Sequence, residues 1–306
     1  MDFRRVLVTG VAGFVGSHLA KTLVQQGFQV IGLDNLSRGR LETVQALQHE
    51  NNFTFVKGDI LDTTLLEELL RETRLVFHEA ALIDVQESLA NPALYYRVNV
   101  QGLQNILEAM RKADTPRLVS ASSCAVYGHP DTTPITEEAT LQPLSPYAET
   151  KIQGERLCYQ YSQQYAISTL VLRYFNIYGP RQQGPYQNVI THFLEQAQKG
   201  EPVVIYGDGQ QTRDFVHISD IVQANLLATH SQLVHHIFNI GTGTGTSVNR
   251  LATLVLELFN QPLHHIAYQA TREGEIRYSE ADITKAQRFL GYSPTYDLQR
   301  GLQTLI

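Results

Sequence analysis

Short apolar runs alternate with longer amphipathic stretches along the first half of the chain. The runs are rich in β-branched and aromatic residues and comprise Val6–Val8, Gln29–Leu33, Phe53–Lys57, Leu75–Glu79, Arg117–Ala121 and Ser168–Tyr174. The intervening stretches with helical character include Leu65–Arg71, Ala93–Ala113 and Tyr147–Tyr165. Strands that alternate with helices build a parallel sheet covered by helices on both faces. The pattern therefore predicts an α/β fold with a doubly wound parallel sheet.

The alternation weakens after residue 175, where a loop rich in Gly, Pro and Gln spans Gly179–Gln187. The chain has 306 residues, of which 43% are hydrophobic, so it is long for one minimal domain. We therefore predict two domains. The first contains the sheet and covers residues 1–175 plus about 215–243, and a smaller α/β domain covers about 176–214 and 244–306.

Charge and composition argue against several classes of function. The formal net charge of −6 gives no general attraction to nucleic acids or acidic membranes, so we expect neither as a partner. Cys124 and Cys158 do not have the spacing of metal ligands, so no metal is predicted. Neither a bilayer-length apolar run nor the apolar core of a signal peptide is found, and we expect a soluble cytoplasmic protein with reduced thiols.

A glycine-rich turn follows the first apolar run. Gly10, Gly13 and Gly16 lie between Val6–Val8 and an amphipathic stretch, in the order strand, turn, helix. Glycines allow the backbone to turn tightly and to approach a pyrophosphate, whose charge the helix N-terminus stabilises. A turn without a ligand also needs some glycines, and the spacing differs from G-x-G-x-x-G. The position after the first strand is what favours a dinucleotide site.

The second apolar run ends at Asp34, where a carboxylate can accept hydrogen bonds from the ribose hydroxyls of adenosine. The same carboxylate would repel a 2′-phosphate, so Asp34 favours NAD over NADP. Arg38 and Arg40 lie close by in the sequence and weaken this preference, unless they are solvated loop charges. Beyond Asp34, the strand ends place Asp59-Ile60, Ala80-Ala81 and Ser122-Ser123 along one crevice, where ligands of such sheets bind.

Tyr147 and Lys151 are four residues apart on a predicted helix and therefore face the same way. A free phenol loses its proton only near pH ~10, but a neighbouring cation favours the phenolate and allows it to act as a general base. This spacing arises by chance on many amphipathic helices. Together with Ser122, Ser123 and the glycine turn, it indicates an alcohol–ketone redox site.

Ten segments in order along the chain, including SPYAETK at residues 145–151, resemble the extended short-chain dehydrogenases/reductases. The resemblance is specifically to sugar-nucleotide 4-epimerases of the UDP-galactose 4-epimerase type. It covers nearly the whole chain, at residues 8–19, 34–39, 58–60, 78–82, 120–128, 145–151, 172–182, 207–220, 239–248 and 272–286. The resemblance implies a Rossmann fold, an NAD cofactor, a UDP-sugar substrate and a homodimer joined by helices around Ala93–Ala113 and Tyr147–Tyr165.

The resemblance also assigns roles to residues. Tyr147 would be the acid/base on the 4-hydroxyl of the sugar, Lys151 would hold the nicotinamide ribose and lower the pKa of Tyr147, and Ser123 would hydrogen-bond O4. The residues expected around NAD are Gly10, Gly13, Phe14, Val15, Gly16, Asp34, Asn35, Asp59, Ile60, Ala80, Ala81, Asn99, Tyr147, Lys151 and Tyr174. Those expected around the UDP-sugar are Ser123, Asn176, Asn188, Val204, Tyr206, Arg213, Arg272 and Ser279.

Arginine suits a diphosphate because its planar guanidinium matches two phosphate oxygens. Arg213 and Arg272 come from separate segments and could hold the diphosphate together, although Arg213 could instead form an ion pair with Asp214. Position 279 is bulky in related epimerases restricted to glucose and galactose, and serine there leaves space for an N-acetyl group. Asp84 would repel a uronic acid and disfavours UDP-glucuronate.

The prediction is NAD-dependent 4-epimerisation of a UDP-hexose through a transient 4-keto sugar, with glucose/galactose or their N-acetylated forms as the hexose. Related 4,6-dehydratases carry Thr-Asp-Glu where this chain has Ser122-Ser123-Cys124, and the serine-threonine-serine-glutamate run of UDP-glucuronate decarboxylases is also unmatched. A UDP-glucuronate decarboxylase/epimerase or a nucleotide-sugar dehydratase remains the alternative within the superfamily. A non-catalytic NAD(H)-binding sensor is the alternative from another class.

Overall fold

The computed structural model of the protein describes residues 4–182, 188–271 and 276–306. Its strands are β1 (Arg5–Thr9), β2 (Gln29–Asp34), β3 (Phe53–Lys57), β4 (Leu75–His78), β5 (Arg117–Ser123), β6 (Ser168–Tyr174), β7 (Asn176–Tyr178), β8 (Val203–Tyr206), β9 (Thr212–His217), β10 (His235–Ile240), β11 (Gly245–Ser247) and β12 (Ile266–Gln269). Its α-helices are α1 (Phe14–Gln25), α2 (Glu42–Gln45), α3 (Thr63–Leu70), α4 (Val85–Ala90), α5 (Pro92–Tyr95), α6 (Gly102–Lys112), α7 (Pro146–Tyr165), α8 (Val189–Gln198), α9 (Ile218–His230), α10 (Val248–Leu258), α11 (Thr284–Leu290) and α12 (Leu298–Gln303). None of the helices described is both long enough and apolar enough to cross a bilayer.

Seven of the described strands form the central sheet, in the order β10-β6-β5-β4-β1-β2-β3. Strands β1 to β5 pair in parallel, with β1 between β2 and β4. The strand order reverses at β1, and ligands of doubly wound sheets bind at the carboxyl ends of the strands beside such a reversal. The predicted α/β class and the doubly wound sheet are confirmed.

The chain divides into two compact units. The first comprises Met1–Val126, Pro143–Arg173 and Val222–Phe238, and the second comprises Tyr127–Gln142, Tyr174–Ile221 and Asn239–Ile306. In the second unit, β11, β9 and β7 form one small sheet and β12 and β8 form another.

Neighbouring strands of the first unit supply a continuous apolar core. Leu7, Val76 and Leu118 are fully buried and pack in one cluster with Leu66 of α3 and Ile106 of α6. Parallel strands that are covered by helices on both faces need such apolar runs. The second unit has its own core, which includes Phe193 of α8, Val203 of β8, Phe215 of β9 and Leu251 of α10.

Three elements differ from the sequence-based predictions. The helix predicted over Ala93–Ala113 is divided into α5, a π-helical segment Tyr96–Gln101 and α6. Strand β5 extends to Ser123, so Ser122 and Ser123 are its last residues and do not follow it. Helix α7 confirms the prediction over Tyr147–Tyr165, with one further residue at its start.

Local sequence explains where α7 begins and ends. Ser145 is its N-cap and accepts a hydrogen bond from the backbone N–H of Ala148 at 3.2 Å. Pro146 occupies the first turn, where its missing N–H is not needed. The helix ends at Ala166, whose backbone is left-handed with φ of 54°. These boundaries fix the register that places Tyr147 in the first turn.

Candidate active site

The glycine turn between β1 and α1 is closely packed. Gly10 has φ of +68°, and a Cβ there would lie 2.7 Å from the backbone nitrogen of Ala80. A Cβ at Gly16 would lie 2.2 Å from the carbonyl oxygen of Gly10. Helix α1 begins at Phe14 with Gly13 as its N-cap and no side-chain hydrogen bond at the cap. Its first N–H groups are therefore suited to an anion such as pyrophosphate.

Asp34 at the end of β2 is held by two backbone hydrogen bonds. Its Oδ2 accepts from Ala12 N–H at 2.9 Å and its Oδ1 accepts from Leu36 N–H at 2.8 Å. Burial raises the pKa of Asp34, and the two hydrogen bonds oppose that effect. Arg38 forms an ion pair with Glu87 of α4. The Asp34 carboxylate is thus fixed at the end of β2, and Arg38 is directed to Glu87, which supports the preference for NAD.

The segments that follow β2, β3 and β4 are joined by polar contacts. Asn35 Nδ2 donates to Asp59 Oδ2 at 2.9 Å, which joins the segments after β2 and β3. Asn99 lies in the π-helical segment, a form that often occurs at functional sites. Its Oδ1 accepts from Leu82 N–H at 2.8 Å, and its Nδ2 donates to Leu82 O at 2.9 Å and to Thr150 Oγ1 at 3.1 Å. Thr150 was not singled out from the sequence.

These features fit a bound dinucleotide. The turn has no space for side chains at Gly10 and Gly16, the N-cap of α1 makes no side-chain hydrogen bond, and Asp34 is a fixed carboxylate. Ile60, Ala80 and Ala81 lie at the ends of the neighbouring strands, in the same unit. Tyr174 ends β6 and is assigned to the second unit.

Tyr147, Lys151 and Ser123 lie together in the first unit. Tyr147 is 7% exposed, and burial raises its pKa to about 12, although a hydrogen bond with Ser123 lowers it. Lys151 Nζ lies 5.9 Å from the centre of the Tyr147 ring and donates to the carbonyl oxygen of Ala121 at 3.0 Å. Burial lowers the pKa of Lys151 to about 8. Burial is thus the largest effect on the pKa of Tyr147, and the hydrogen bond with Ser123 opposes it.

The Tyr147 ring is held by apolar neighbours. It packs in a cluster with Leu82 and with Tyr95, which is fully buried. Tyr95 OH in turn donates to Glu87 Oε2 at 3.0 Å. Glu87 therefore bonds both Tyr95 and Arg38, as expected for a paired carboxylate rather than a catalytic one. The cluster limits the positions that the Tyr147 ring can adopt.

The residues predicted for the nucleotide lie in the second unit, Ser123 excepted. Asn188 caps α8 and uses its side-chain oxygen for Ile190 N–H and its side-chain nitrogen for Ile177 O. Asn176 Nδ2 donates to Asp214 O at 3.2 Å. Arg213 Nη1 donates to Thr212 O at 2.8 Å and to Ile276 O at 2.7 Å. Arg272 lies outside the described residues.

Tyr206 lines a cavity of about 270 Å³ within the second unit, with the ion-paired side chains of Asp208 and Arg277 at the same cavity. Val204 lies two residues before Tyr206 on β8. Ser279 is 6% exposed.

Asp214, next to Arg213, is a buried residue that sequence reasoning treated only as a possible ion-pair partner. Its carboxylate accepts hydrogen bonds from Thr242, Gly243 N–H and Ala281 N–H. The carboxylate therefore organises the glycine-rich turn at Gly241–Gly243 and the segment that follows Ser279. This turn therefore has a structural role, with its Thr242 and Gly243 N–H groups bonded to Asp214.

Sequence reasoning missed a buried charge pair in the first unit, between Glu155 of α7 and Arg173 of β6. The signal available was the spacing of Glu155, which is four residues after Lys151 and eight after Tyr147 and therefore on the same helix face.

Known proteins of one family resemble the chain over nearly its whole length. The profile of the NAD dependent epimerase/dehydratase family matches residues 6–241. The chain is 40% identical over 310 residues to a putative UDP-glucose 4-epimerase of Methanocaldococcus jannaschii, covering 98% of this chain and 97% of that protein. Among solved structures, it resembles the UDP-N-acetylglucosamine 4-epimerase of Methanobrevibacter ruminantium, with a TM-score of 0.92, 33% identity, and coverage of 99% and 98%. It also resembles the UDP-glucuronic acid 4-epimerase of Bacillus cereus in complex with UDP-glucuronic acid and NAD, with a TM-score of 0.90, 32% identity, and coverage of 98% and 97%.

A doubly wound sheet with a glycine turn after β1, a carboxylate at the end of β2 and a Ser-Tyr-Lys set is typical of nucleotide-dependent redox proteins. The chain belongs to the NAD-dependent epimerase/dehydratase family, within the extended short-chain dehydrogenases/reductases, and its cofactor is NAD. Its relatives include epimerases of several UDP-sugars and a UDP-N-acetyl-α-D-glucosaminuronate decarboxylase of Bacillus cytotoxicus.

Proposed function

We propose that the protein catalyses the NAD-dependent 4-epimerisation of a UDP-hexose through a transient 4-keto sugar. The observation that carries this proposal is the arrangement of Ser123, Tyr147 and Lys151 within one unit, beside strand ends that fit NAD. A phenol, a hydroxyl hydrogen-bonded to it and a nearby ammonium are the groups needed to move the proton of a secondary alcohol.

The side chains of the site have distinct roles in this reaction. Tyr147 accepts the proton of the 4-hydroxyl and returns it after the keto sugar has turned over. Ser123 hydrogen-bonds O4, and Lys151, held on the Ala121 carbonyl, places a positive charge near the phenol. When bound, NAD would supply the reversible oxidation of the sugar alcohol at C4. The positive charge of its oxidised nicotinamide ring would also favour the phenolate of Tyr147. Asp34 and the glycine turn hold the adenosine half of the cofactor.

The nucleotide diphosphate is the fixed anchor about which the sugar rotates. Arg213 and Arg272 would bind its phosphates through charge-assisted hydrogen bonds. Asn176, Val204 and Tyr206 would contact the rest of the nucleotide from the second unit. Asn188 would act from the first turn of α8, whose N-terminus it caps.

The proposed hexose includes the N-acetylated sugars as well as glucose and galactose. Ser279 is a small, buried residue, and a tyrosine at that position would occupy the volume of an acetamido group. Asp84 accepts a hydrogen bond from Glu87 N–H at 2.8 Å as the N-cap of α4. Its negative charge disfavours a uronic acid, which makes decarboxylation and UDP-glucuronate epimerisation the second candidates.

One assay separates these reactions. The purified protein is incubated with UDP-galactose or UDP-N-acetylgalactosamine without added reductant, and the products are followed by NMR and mass spectrometry. We expect the 4-epimer at unchanged mass from the wild type and none from Tyr147→Phe. Loss of water from either sugar would instead identify a dehydratase, and loss of CO₂ from UDP-glucuronate, incubated in parallel, would identify a decarboxylase. Absence of turnover with all UDP-hexoses, with no effect of Tyr147→Phe, would favour an NAD(H)-binding sensor.

We also propose a homodimer. Leu89 of α4, Tyr96 of the π-helical segment and Tyr159 of α7 are 55%, 52% and 53% exposed, which is high for large apolar side chains. A second copy of the chain would bury them in a bundle of helices. Analytical ultracentrifugation should give the mass of two chains for the wild type and of one chain for Tyr159→Arg. A monomeric wild type would contradict the proposal.

A further inference from the structure

Helix α7 carries a further ionisable side chain, that of Glu155, beyond those of Tyr147 and Lys151. Glu155 lies four residues after Lys151, so the three side chains occupy one face of the helix. Glu155 and Arg173 are 5% and 3% exposed as an ion pair. Removing two charges from water is costly, and such a pair is weak evidence for added stability. The position of Glu155, one helical turn after Lys151, points to another role.

Both oxygens of Glu155 have partners. Oε1 accepts from Ser122 Oγ at 2.6 Å and from Arg173 Nε at 2.9 Å. Oε2 accepts from Arg173 Nη2 at 2.6 Å. The guanidinium therefore holds the carboxylate in a bidentate arrangement and fixes the oxygen that receives the serine hydroxyl.

The last residues of β5 are consequently held at two successive positions by α7. Lys151 Nζ donates to Ala121 O at 3.0 Å, and Ser122 Oγ donates to Glu155 at 2.6 Å. Ser123, the next residue, presents the hydroxyl that hydrogen-bonds Tyr147. A shift at Ser122 would move Ser123 relative to the phenol, because the two residues are adjacent on one strand.

Glu155 also contributes to the charge around Lys151. The two side chains line the same cavity of about 10 Å³, which has room for roughly one water molecule. The titratable groups that face Lys151 come from three elements: Tyr147, Glu155 and Cys158 of α7, His78 and Glu79 at the end of β4, and Arg173 of β6 through Glu155.

Several of these groups are uncharged at neutral pH. Burial raises the pKa of Cys158 to about 12 and lowers that of His78 to about 3. The charges that remain near Lys151 are those of Glu79, Glu155 and Arg173. Both carboxylates raise the pKa of Lys151 against the larger effect of burial, which lowers it.

We propose that Glu155, held by Arg173, is a positioning residue of the Tyr147–Lys151 pair. It fixes the end of β5 that carries Ser123 and provides a negative charge that favours the Lys151 ammonium. The inference rests on the proposed function, in which these two residues move the proton of the sugar hydroxyl.

The test compares Glu155→Gln with Arg173→Met. Both variants break the ion pair, but they leave opposite charges next to Lys151. Removal of the carboxylate lowers the pKa values of both Lys151 and Tyr147, whereas removal of the guanidinium raises both. The pH profile of kcat therefore moves to lower pH in Glu155→Gln and to higher pH in Arg173→Met, by about one pH unit each. The direction of the shift is the same whether the acidic or the basic limb of the profile reports Tyr147 or Lys151, because the pKa values of both residues move together. A shift in the same direction, or none, overturns the proposal.

A second readout does not depend on turnover. Lys151 is observed by NMR in protein labelled with ¹³C at lysine Cε, and its signal is assigned by its absence in Lys151→Met. Its titration midpoint should fall in Glu155→Gln and rise in Arg173→Met. If the wild type converts no UDP-hexose, the proposed function fails, and this titration still decides whether Glu155 sets the charge state of Lys151. Unmoved midpoints contradict that role.

Ser122→Ala separates the position of Ser123 from the charge near Lys151. Because it removes only one hydroxyl, it can still be measured if Glu155→Gln and Arg173→Met fail to fold. Its kcat should fall about tenfold with KM within about twofold, because Ser123 loses its fixed position while substrate binding is retained. The Lys151 midpoint should stay at the wild-type value. A wild-type kcat in Ser122→Ala overturns the positioning role.

Discussion

Replacing Gly16 by alanine tests the glycine turn, because the added methyl group has no space. A Cβ there would lie 2.2 Å from the Gly10 carbonyl oxygen and 2.9 Å from Val11 Cα, which are both backbone atoms. Carbon and oxygen atoms in contact need roughly 3.3 Å, so the turn must move by about 1 Å. Overpacking of this kind costs about 1–3 kcal/mol. For a chain of this size the melting temperature should fall by roughly 2–5 °C.

The same displacement moves the first N–H groups of α1, so NAD affinity should fall by at least about tenfold. Calorimetry gives both quantities, as the melting temperature and as the affinity for NAD after bound cofactor is removed. Gly154→Ala in α7 is the matched control. It also places alanine in a helix, but its Cβ would lie 3.2 Å from Leu103 Cδ2, the end of a flexible side chain. If Gly16→Ala behaves like Gly154→Ala in both measurements, the close approach has no functional role.

Three further variants test other parts of the site. Asp34→Asn removes the charge at the ribose position, and calorimetry should show NAD affinity lowered about tenfold; unchanged affinity would contradict that role. Because burial lowers the pKa of Lys151 to about 8, the unfolded chain binds more protons than the folded one between pH ~8 and ~10, so the free energy of unfolding should rise with pH there. Denaturant titrations should show this rise in the wild type and lose it in Lys151→Met; a rise that persists would refute the burial effect. Ser279→Tyr should abolish turnover of N-acetylhexosamines and spare glucose and galactose, whereas equal losses would exclude Ser279 as the determinant.

The sheet and helix α7 could be predicted because their signals are local. Apolar runs mark strands, and Ser145 followed by Pro146 marks a helix start. The π-helical segment could not be predicted, because an extra residue in one turn leaves the apolar positions on either side almost unchanged. Asn99 was expected near NAD, but its contacts with Leu82 and Thr150 depend on that segment.

Charged residues gave the weakest sequence signals, because a buried charge and a solvated one look alike in a sequence. Glu155 and Arg173 are separated by 18 residues, and Arg38 and Glu87 by 49. Their pairing depends on which strands and helices become neighbours. Burial is likewise the largest effect on the pKa values of Tyr147 and Lys151, and burial depends on the packing of the whole unit.

The most direct test of the account follows the hydrogen atom on C4 of the sugar. UDP-galactose or UDP-N-acetylgalactosamine that carries deuterium at C4 is incubated with the protein in ordinary water, and the 4-epimer is analysed by NMR and mass spectrometry. We predict that the product retains the deuterium at C4 with inverted configuration, and that Tyr147→Phe forms no product. A 4-epimer that has exchanged its C4 deuterium for solvent hydrogen would contradict oxidation and reduction at C4 within one site.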